Sequence, residues 1–331
     1  MYPFTLQTPA HAEAAILNAQ QDEGARYIAG GTNLIDLMKL TIERPSSLLD
    51  ITGLPGLEGV GRDTDGNLRV GALAKMSDVA DHPLVKDSWP VIAQALNKGA
   101  SAQLRNMATI GGNLLQRTRC PYFRDIATRC NKRNPGEGCD AIGGINREHA
   151  LLGVSDHCIA LNPSDLCVAL AACDTVVEIL GPAGRRIVPF EQLHRKPEGT
   201  PQIEHNLSRG ELISAVIVKA NAASRHSTYL KIRDRESYQF AVVSVAAGIE
   251  TTRDGTIVEA RVGLGGVATV PWRARNVESF LRGRRIDDET VTEAGRLSMA
   301  GATPRAHNEF KLALMEGVLA DALFSLKNSN R

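Results

Sequence analysis

The sequence predicts an α+β chain of more than one domain, and three observations carry that prediction. At 331 residues the chain is longer than one hydrophobic core usually supports. Two glycine-paired turns, Ala29-Gly30-Gly31-Thr32-Asn33-Leu34 and Thr109-Ile110-Gly111-Gly112-Asn113-Leu114, punctuate its first half. Beyond residue 227, three strand patterns come in succession and three helical patterns follow, the order expected of an antiparallel three-stranded sheet covered by a helical bundle.

Taken in order, residues 9–18 place apolar side chains on one helical face, and residues 25–29 read as a buried strand running into the first turn. Ile35, Leu37, Met38 and Leu40 follow at helical spacing, and residues 47–51 form a second strand. Gly53-Leu54-Pro55-Gly56 breaks the pattern and marks a subdomain boundary. Residues 68–73 alternate as a strand, Ser77 is expected to cap a short helix that stops before Pro83, and residues 89–98 form another helix. Pro163-Ser164-Asp165 opens an apolar helix. Residues 175–180 and 186–189 read as a hairpin around Gly181-Pro182-Ala183-Gly184, residues 194–206 as a polar loop and 211–218 as a strand. Asn221-Ala222-Ala223-Ser224 is the linker candidate. After it the strands fall at 228–234, 240–250 and 256–265 and the helices at 274–281, 287–300 and 306–326. The expected domains are therefore 1–53, 54–222 and 223–331.

Charge and composition exclude several classes. Lys plus Arg number 38 against 37 Asp plus Glu, with no basic face interleaved with aromatics, so no nucleic acid is expected. No apolar run reaches membrane-spanning length and the N-terminal stretch lacks the regions of a secretory signal, so no membrane insertion is expected. The expected compartment is the cytoplasm, or the periplasm if the chain is exported folded with a signal-bearing partner.

The chemistry lies in the turns and in what separates them from the rest. Strand, Gly-Gly-Thr-Asn turn and helix together aim backbone N–H groups and a helix N-terminus at one point, which suits a pyrophosphate; the same turn would also serve simply to join strand to helix. Neither turn is a GxGxxG or a Walker loop, which disfavours a nicotinamide-type fold. Four of the six cysteines, Cys120, Cys130, Cys139 and Cys158, fall in one irregular insert at about 117–160. Four thiols where apolar periodicity is scarce point to a metal centre rather than a disulfide scaffold. Nine, eight and eighteen residues separate them, with no Cys-x-x-Cys. That favours an iron–sulfur cluster but leaves zinc open, and with it a rival reading as a zinc-stabilised structural or assembly module. Arg117, Arg119, Arg124, Arg129, Lys132 and Arg133 are expected to lower thiol pKa and offset the thiolate charge. Cys167 and Cys173 are assigned to the core and His149 and His157 to structural or exposed roles. A flavin site with an iron–sulfur cluster beside it is the resulting expectation.

With the Thr-Ile-Gly-Gly-Asn-Leu turn, Pro163-Ser164-Asp165 and Tyr229-Leu230-Lys231-Ile232-Arg233-Asp234-Arg235 added, essentially the whole chain resembles the FAD-binding subunits of the xanthine dehydrogenase family of molybdenum hydroxylases. The resemblance implies a two-part FAD-binding domain of the PCMH type followed by a C-terminal flavoprotein domain. It implies that Ala29, Gly30, Gly31, Thr32, Asn33 and Leu34, with Thr109, Gly112 and Asn113, hold the FAD pyrophosphate. It also implies that Asp165 meets the ribityl chain, that Lys231 lies near the flavin ring, and that Ala100 and Ile213 line that ring. Most members lack the cysteine insert. Within the family it is shared by the aldehyde oxidoreductase branch, which this sequence resembles most, and, at different spacing, by the 4-hydroxybenzoyl-CoA reductase branch, where it binds a [4Fe-4S] cluster. The resemblance therefore implies Cys120, Cys130, Cys139 and Cys158 as cluster ligands. It implies a molybdenum-cofactor large subunit and a [2Fe-2S] small subunit as partners, an external electron acceptor, and no catalytic acid, base or nucleophile in this chain.

Overall fold

The computed structural model describes residues 1–329. Residues 330 and 331, at the end of the expected last domain, lie outside the described residues.

The chain forms three sheets, each filled by a different kind of sequence. The first is small and parallel: Thr5–Gln7 and Ala25–Ile28 flank Ser47–Asp50. Parallel pairing needs crossover connections, and helices Ala12–Gln21 and Leu34–Lys39 supply them. The first helix starts three residues later than the apolar pattern suggested. His11 is its N-cap, accepting the Ala14 N–H through Nδ1. The strand Ala25–Ile28 buries only Ala25 fully, because Arg26, Tyr27 and Ile28 line a cavity instead of a core.

The second sheet is antiparallel and five-stranded, in the order Val60–Arg62, Leu68–Gly71, Leu212–Val218, Thr175–Gly181, Gly184–Pro189. Its central strand, Leu212–Val218, arrives from 140 residues downstream of its neighbour Leu68–Gly71, so this layer closes only once the intervening insert has been looped out. Helices Met76–Asp81, Pro83–Ser88, Pro90–Lys98 and Asp165–Ala171 cover it, with Trp89 fully buried. Two details differ from the sequence reading. Lys75, not Ser77, is the N-cap of the first of these helices, because extended backbone persists to Lys75 and bridges Thr109. Pro83 starts a further turn of helix, as proline does at a first helical position.

The third sheet pairs Ser227–Ile232, Val243–Thr251 and Ile257–Gly265 antiparallel, with the two-residue strand Trp272–Arg273 at its edge. Helices Arg275–Leu281, Asp288–Ser298 and Lys311–Ser329 pack on it around Val245, Val262, Met315 and Leu319. The expected linker at 221–224 is a capped helical turn instead. Asn221 and Ser224 exchange side-chain and backbone hydrogen bonds in a capping box over Ala222–Arg225. No described helix is long and apolar enough to cross a membrane.

Candidate functional site

The two glycine turns are far apart in sequence and adjacent in space. A Cβ on Gly30 would lie 2.0 Å from the Met107 carbonyl oxygen, so the first turn packs backbone-to-backbone against the segment that leads into the second. Gly31 sits at φ +69, the left-handed region that glycine enters without strain. The second turn forms a short helix, Ile110–Leu114, whose N-cap Thr109 accepts the Gly112 N–H through Oγ1.

Between the turns opens a cavity of about 1100 Å³. Ala29, Gly30, Gly31, Thr32, Asn33 and Leu34 form one wall, Thr109, Gly112 and Asn113 another, and Ala100, Asp165, Ile213 and Lys231 complete it. Every residue expected at the cofactor thus faces the same space. Ala100 holds φ 51, an unusual value for a residue with a Cβ, and backbone strain of this kind collects at functional walls. Asn113 Oδ1 accepts the Ser164 hydroxyl at 2.5 Å and Asn33 Oδ1 accepts the Arg117 N–H at 2.9 Å. Asn33 Nδ2, Arg119 Nε and Arg124 Nη1 are shielded from solvent and have no protein partner. Buried donors are rarely left unpaired, and these three belong to residues lining the cavity, so a ligand rich in acceptors, as a dinucleotide is, fits the wall.

On the same wall Lys231 and Asp165 form a buried pair. Lys231 Nζ donates to Asp165 Oδ2 at 2.8 Å and to the Lys98 carbonyl at 3.0 Å, while the Tyr229 hydroxyl donates to Asp165 Oδ1 at 2.6 Å. Burial pushes the Asp165 carboxyl up, against the opposing pull of Lys231 and Tyr229. Tyr229 entered the sequence reading only as part of the motif 229–235, with no role of its own. A signal for it existed, since it lies two residues before Lys231 on one strand and so shares its face.

Beside this cavity the insert folds around the four cysteines. Cys120, Cys130, Cys139 and Cys158 all line one small cavity with Tyr122, Phe123 and Lys132, and Cys130 and Cys139 bridge as paired extended residues. Among the described residues no group of three or more His, Cys, Asp or Glu side chains that could hold a metal ion is gathered. Cys167 and Cys173 lie elsewhere, buried in the core beneath the second sheet, Cys173 just past the end of its helix.

The insert's cations do not do what their number suggested. Burial pushes the Cys120 thiol up to about 12, the Cys158 thiol up to about 11 and the Cys139 thiol in the same direction. Lys132 does pull the Cys158 thiol down, but burial outweighs it, and these cations are engaged chiefly by carboxylates and carbonyls. Arg117 spans Glu43 and Glu204, Arg119 and Arg124 share Asp36, Lys132 meets Glu204, and Arg129 meets Asp140. Arg133 Nη1 donates to the carbonyls of Tyr122, Phe123 and Asp125. A metal entering this ring would have to displace thiol protons as it bound.

Comparison with known proteins gives a consistent placement. Residues 2–218 match the model of the FAD binding domain in molybdopterin dehydrogenase, and residues 228–326 that of the CO dehydrogenase flavoprotein C-terminal domain. The chain is 46% identical over 325 residues, 98% of both chains, to the aldehyde oxidoreductase FAD-binding subunit PaoB of Escherichia coli. It is 25% identical to the carbon monoxide dehydrogenase medium chain of Hydrogenophaga pseudoflava, over 94% of this chain and 92% of that one. In fold it is similar to a chain of quinoline 2-oxidoreductase from Pseudomonas putida 86, at a TM-score of 0.77 and 23% identity over 99% and 98% of the two chains. Matched along nearly its whole length in this way, the chain belongs to the FAD-binding oxidoreductase subunits of the xanthine dehydrogenase family.

Proposed function

We propose that this chain is an electron-transfer subunit that holds FAD in the large cavity and a [4Fe-4S] cluster in the thiol ring. On this reading it takes electrons from a [2Fe-2S] small subunit, served in turn by a molybdenum-cofactor large subunit, and passes them to an external acceptor. The observation that carries it is the placement of both glycine turns, Asp165 and Lys231 on one cavity, with all four insert cysteines around the neighbouring one. Four cysteines on one small cavity, with no Cys-x-x-Cys pair among them, favour a cluster of several irons over a single structural zinc. Three separate sheets support the division at 1–53, 54–222 and 223–331.

FAD would supply the exchange between one- and two-electron steps. The chain's own residues do the rest. Gly30 and Gly31 let backbone reach the phosphates, Asn33 Nδ2 offers an unspent donor, and Lys231, fixed by Asp165, places positive charge in the wall where reduced flavin would carry negative charge. Asp165 is held by Tyr229 and Lys231 and offers its remaining lone pairs to the ribityl hydroxyls.

Purified protein should contain non-covalent FAD together with about four irons and acid-labile sulfide per chain. A folded chain that neither retains nor rebinds FAD would defeat the flavin assignment. One zinc without sulfide would replace the cluster with the zinc-stabilised module.

A further inference from the structure

Resting on the cluster reading above, we infer that His149 is a positioning residue for that cluster: its Nε2–H donates a hydrogen bond to the Cys120 sulfur and raises the cluster's reduction potential. His149 Nε2 lies 3.1 Å from Cys120 Sγ. In the free thiol either partner can donate. Once Cys120 is a thiolate ligand its sulfur can only accept, so the imidazole must present Nε2–H and leave Nδ1 bare. His149 Nδ1 is indeed buried without a partner, as that tautomer allows for a nitrogen with no proton to place.

The ring is held for this task from outside the insert. Lys311 Nζ, at the start of the last helix, donates to the His149 carbonyl at 3.2 Å and to the Gly266 carbonyl at 2.8 Å. Asn308 Nδ2 reaches the His149 carbonyl at 3.3 Å, and the His149 N–H donates to Asn146 O at 3.0 Å. The C-terminal domain thus fixes the backbone of one insert residue, and that residue's side chain meets a thiol. Backbone N–H groups reach these sulfurs too, Ala160 on Cys158 at 3.5 Å, Tyr122 and Phe123 on Cys120, and Ala141 and Ile142 on Cys139, so His149 adds a side-chain donor to a set of backbone ones. Hydrogen bonds to ligand sulfur stabilise the more negative, reduced cluster and so raise its potential. The direction matters because this corner faces the flavin side: Cys120 and His149 line a second cavity of about 100 Å³ that shares Arg119, Asp165 and Phe240 with the large one.

The test is an equilibrium redox titration of the purified complex, following the reduced cluster by its paramagnetic signal, in wild type, His149→Phe and His149→Gln. Removal of the donor should shift the cluster's oxidised-to-reduced ratio about tenfold toward oxidised at the wild-type midpoint, equivalent to about 59 mV for one electron. His149→Gln keeps an N–H and should recover part of the shift, with iron and sulfide content unchanged in both. If Phe proves too large for the site, His149→Leu makes the same deletion. An unchanged potential in a variant that retains the full cluster overturns the inference while leaving the cluster in place. Loss of iron in every variant, Gln included, overturns it by making His149 a ligand. Wild-type protein without iron and sulfide removes the cluster reading itself, and the inference with it.

Discussion

The FAD cavity and the cysteine insert stand side by side and are built on opposite plans. The cavity wall is mostly backbone, two turns seated at the ends of regular elements and brought together by a glycine with no room for a side chain. The insert has almost no regular structure. Its short helices cover four residues each, Pro121–Arg124 and Asp140–Gly143, and its apolar centre is Phe123 with Leu37 and Cys130. Burial of Phe123 contributes about 1.5–3 kcal/mol; Leu151, Leu152 and Ile159 anchor the end of the insert, the leucines in the core of the third sheet, but the 117–150 stretch has no other large buried apolar side chain among the described residues. What orders it is side chains bonded to backbone and to distant carboxylates: Arg133 on three carbonyls, Asn131 on the N–H groups of Gly136 and Gly138, Arg117 on Glu43 and Glu204. The first region should therefore fail when backbone space is taken away, and the second when a ligand or a charge is.

The largest expected effect divides the cysteines. Cys139→Ser should abolish or badly degrade the cluster, whereas Cys173→Ser, in the core, should leave iron and sulfide at wild-type content; equal loss in both would refute the division. Gly30→Ala attacks the other plan. Its methyl meets a carbonyl oxygen at 2.0 Å, backbone against backbone, so the turns must separate. FAD affinity should fall at least about a hundredfold, or about 2.7 kcal/mol, read by fluorescence titration of the apoprotein, while the cluster content holds.

Lys231→Met tests the buried ion pair in the cavity wall. It strands Asp165 as a buried carboxylate, at a cost of about 3–5 kcal/mol near neutral pH. Burial already raises the Asp165 carboxyl, so the folded chain takes up a proton at a higher pH than the unfolded chain does. Stability lost by the variant is then partly regained as pH falls. Urea unfolding at several pH values checks the sign, and a cost that grows on acidification would contradict it.

Glu204→Gln probes the insert's charge pins. Burial alone would raise this carboxyl, but Lys132 and Arg117 outweigh it and hold it down at about 2. Its contribution is present above the ordinary 4.5 and disappears as pH falls toward 2. The variant should lose about 2 kcal/mol at pH 7 and match the wild type at the acid end of that window. Limited proteolysis within 117–160 would report the loosening.

What was legible in the sequence follows the same division. The turns were readable because strand, Gly-Gly-Thr-Asn and helix lie within one short stretch, 25–39, and the signal is local. Asp165 and Lys231 entered only through the family resemblance, and that they bond each other across 66 residues was not readable at all. The insert's contents were readable as a set of thiols and cations, but not their use: nothing near Arg117 names Glu204 as its partner 87 residues away, so the cations looked available to the cysteines. The capping box at Asn221 and Ser224 was visible as a spacing and still passed for a linker, because four small residues between two strands offer no apolar face.

The smallest expected effect is also the sharpest control on the comparison, because it repeats the Gly30 substitution inside the insert. Gly143 ends the turn Asp140–Gly143, its φ is not positive, and an added Cβ would find no atom within 4 Å. Gly143→Ala therefore meets no obstacle in the folded chain and removes freedom from the unfolded one. It should stabilise by about 0.4–1 kcal/mol or be neutral, with FAD and iron content unchanged. Thermal unfolding of the loaded protein reads this directly. If Gly143→Ala instead lowered the transition as Gly30→Ala is expected to, backbone space would be limiting in the insert too, and the contrast between a wall made of backbone and a ring made of side chains would collapse.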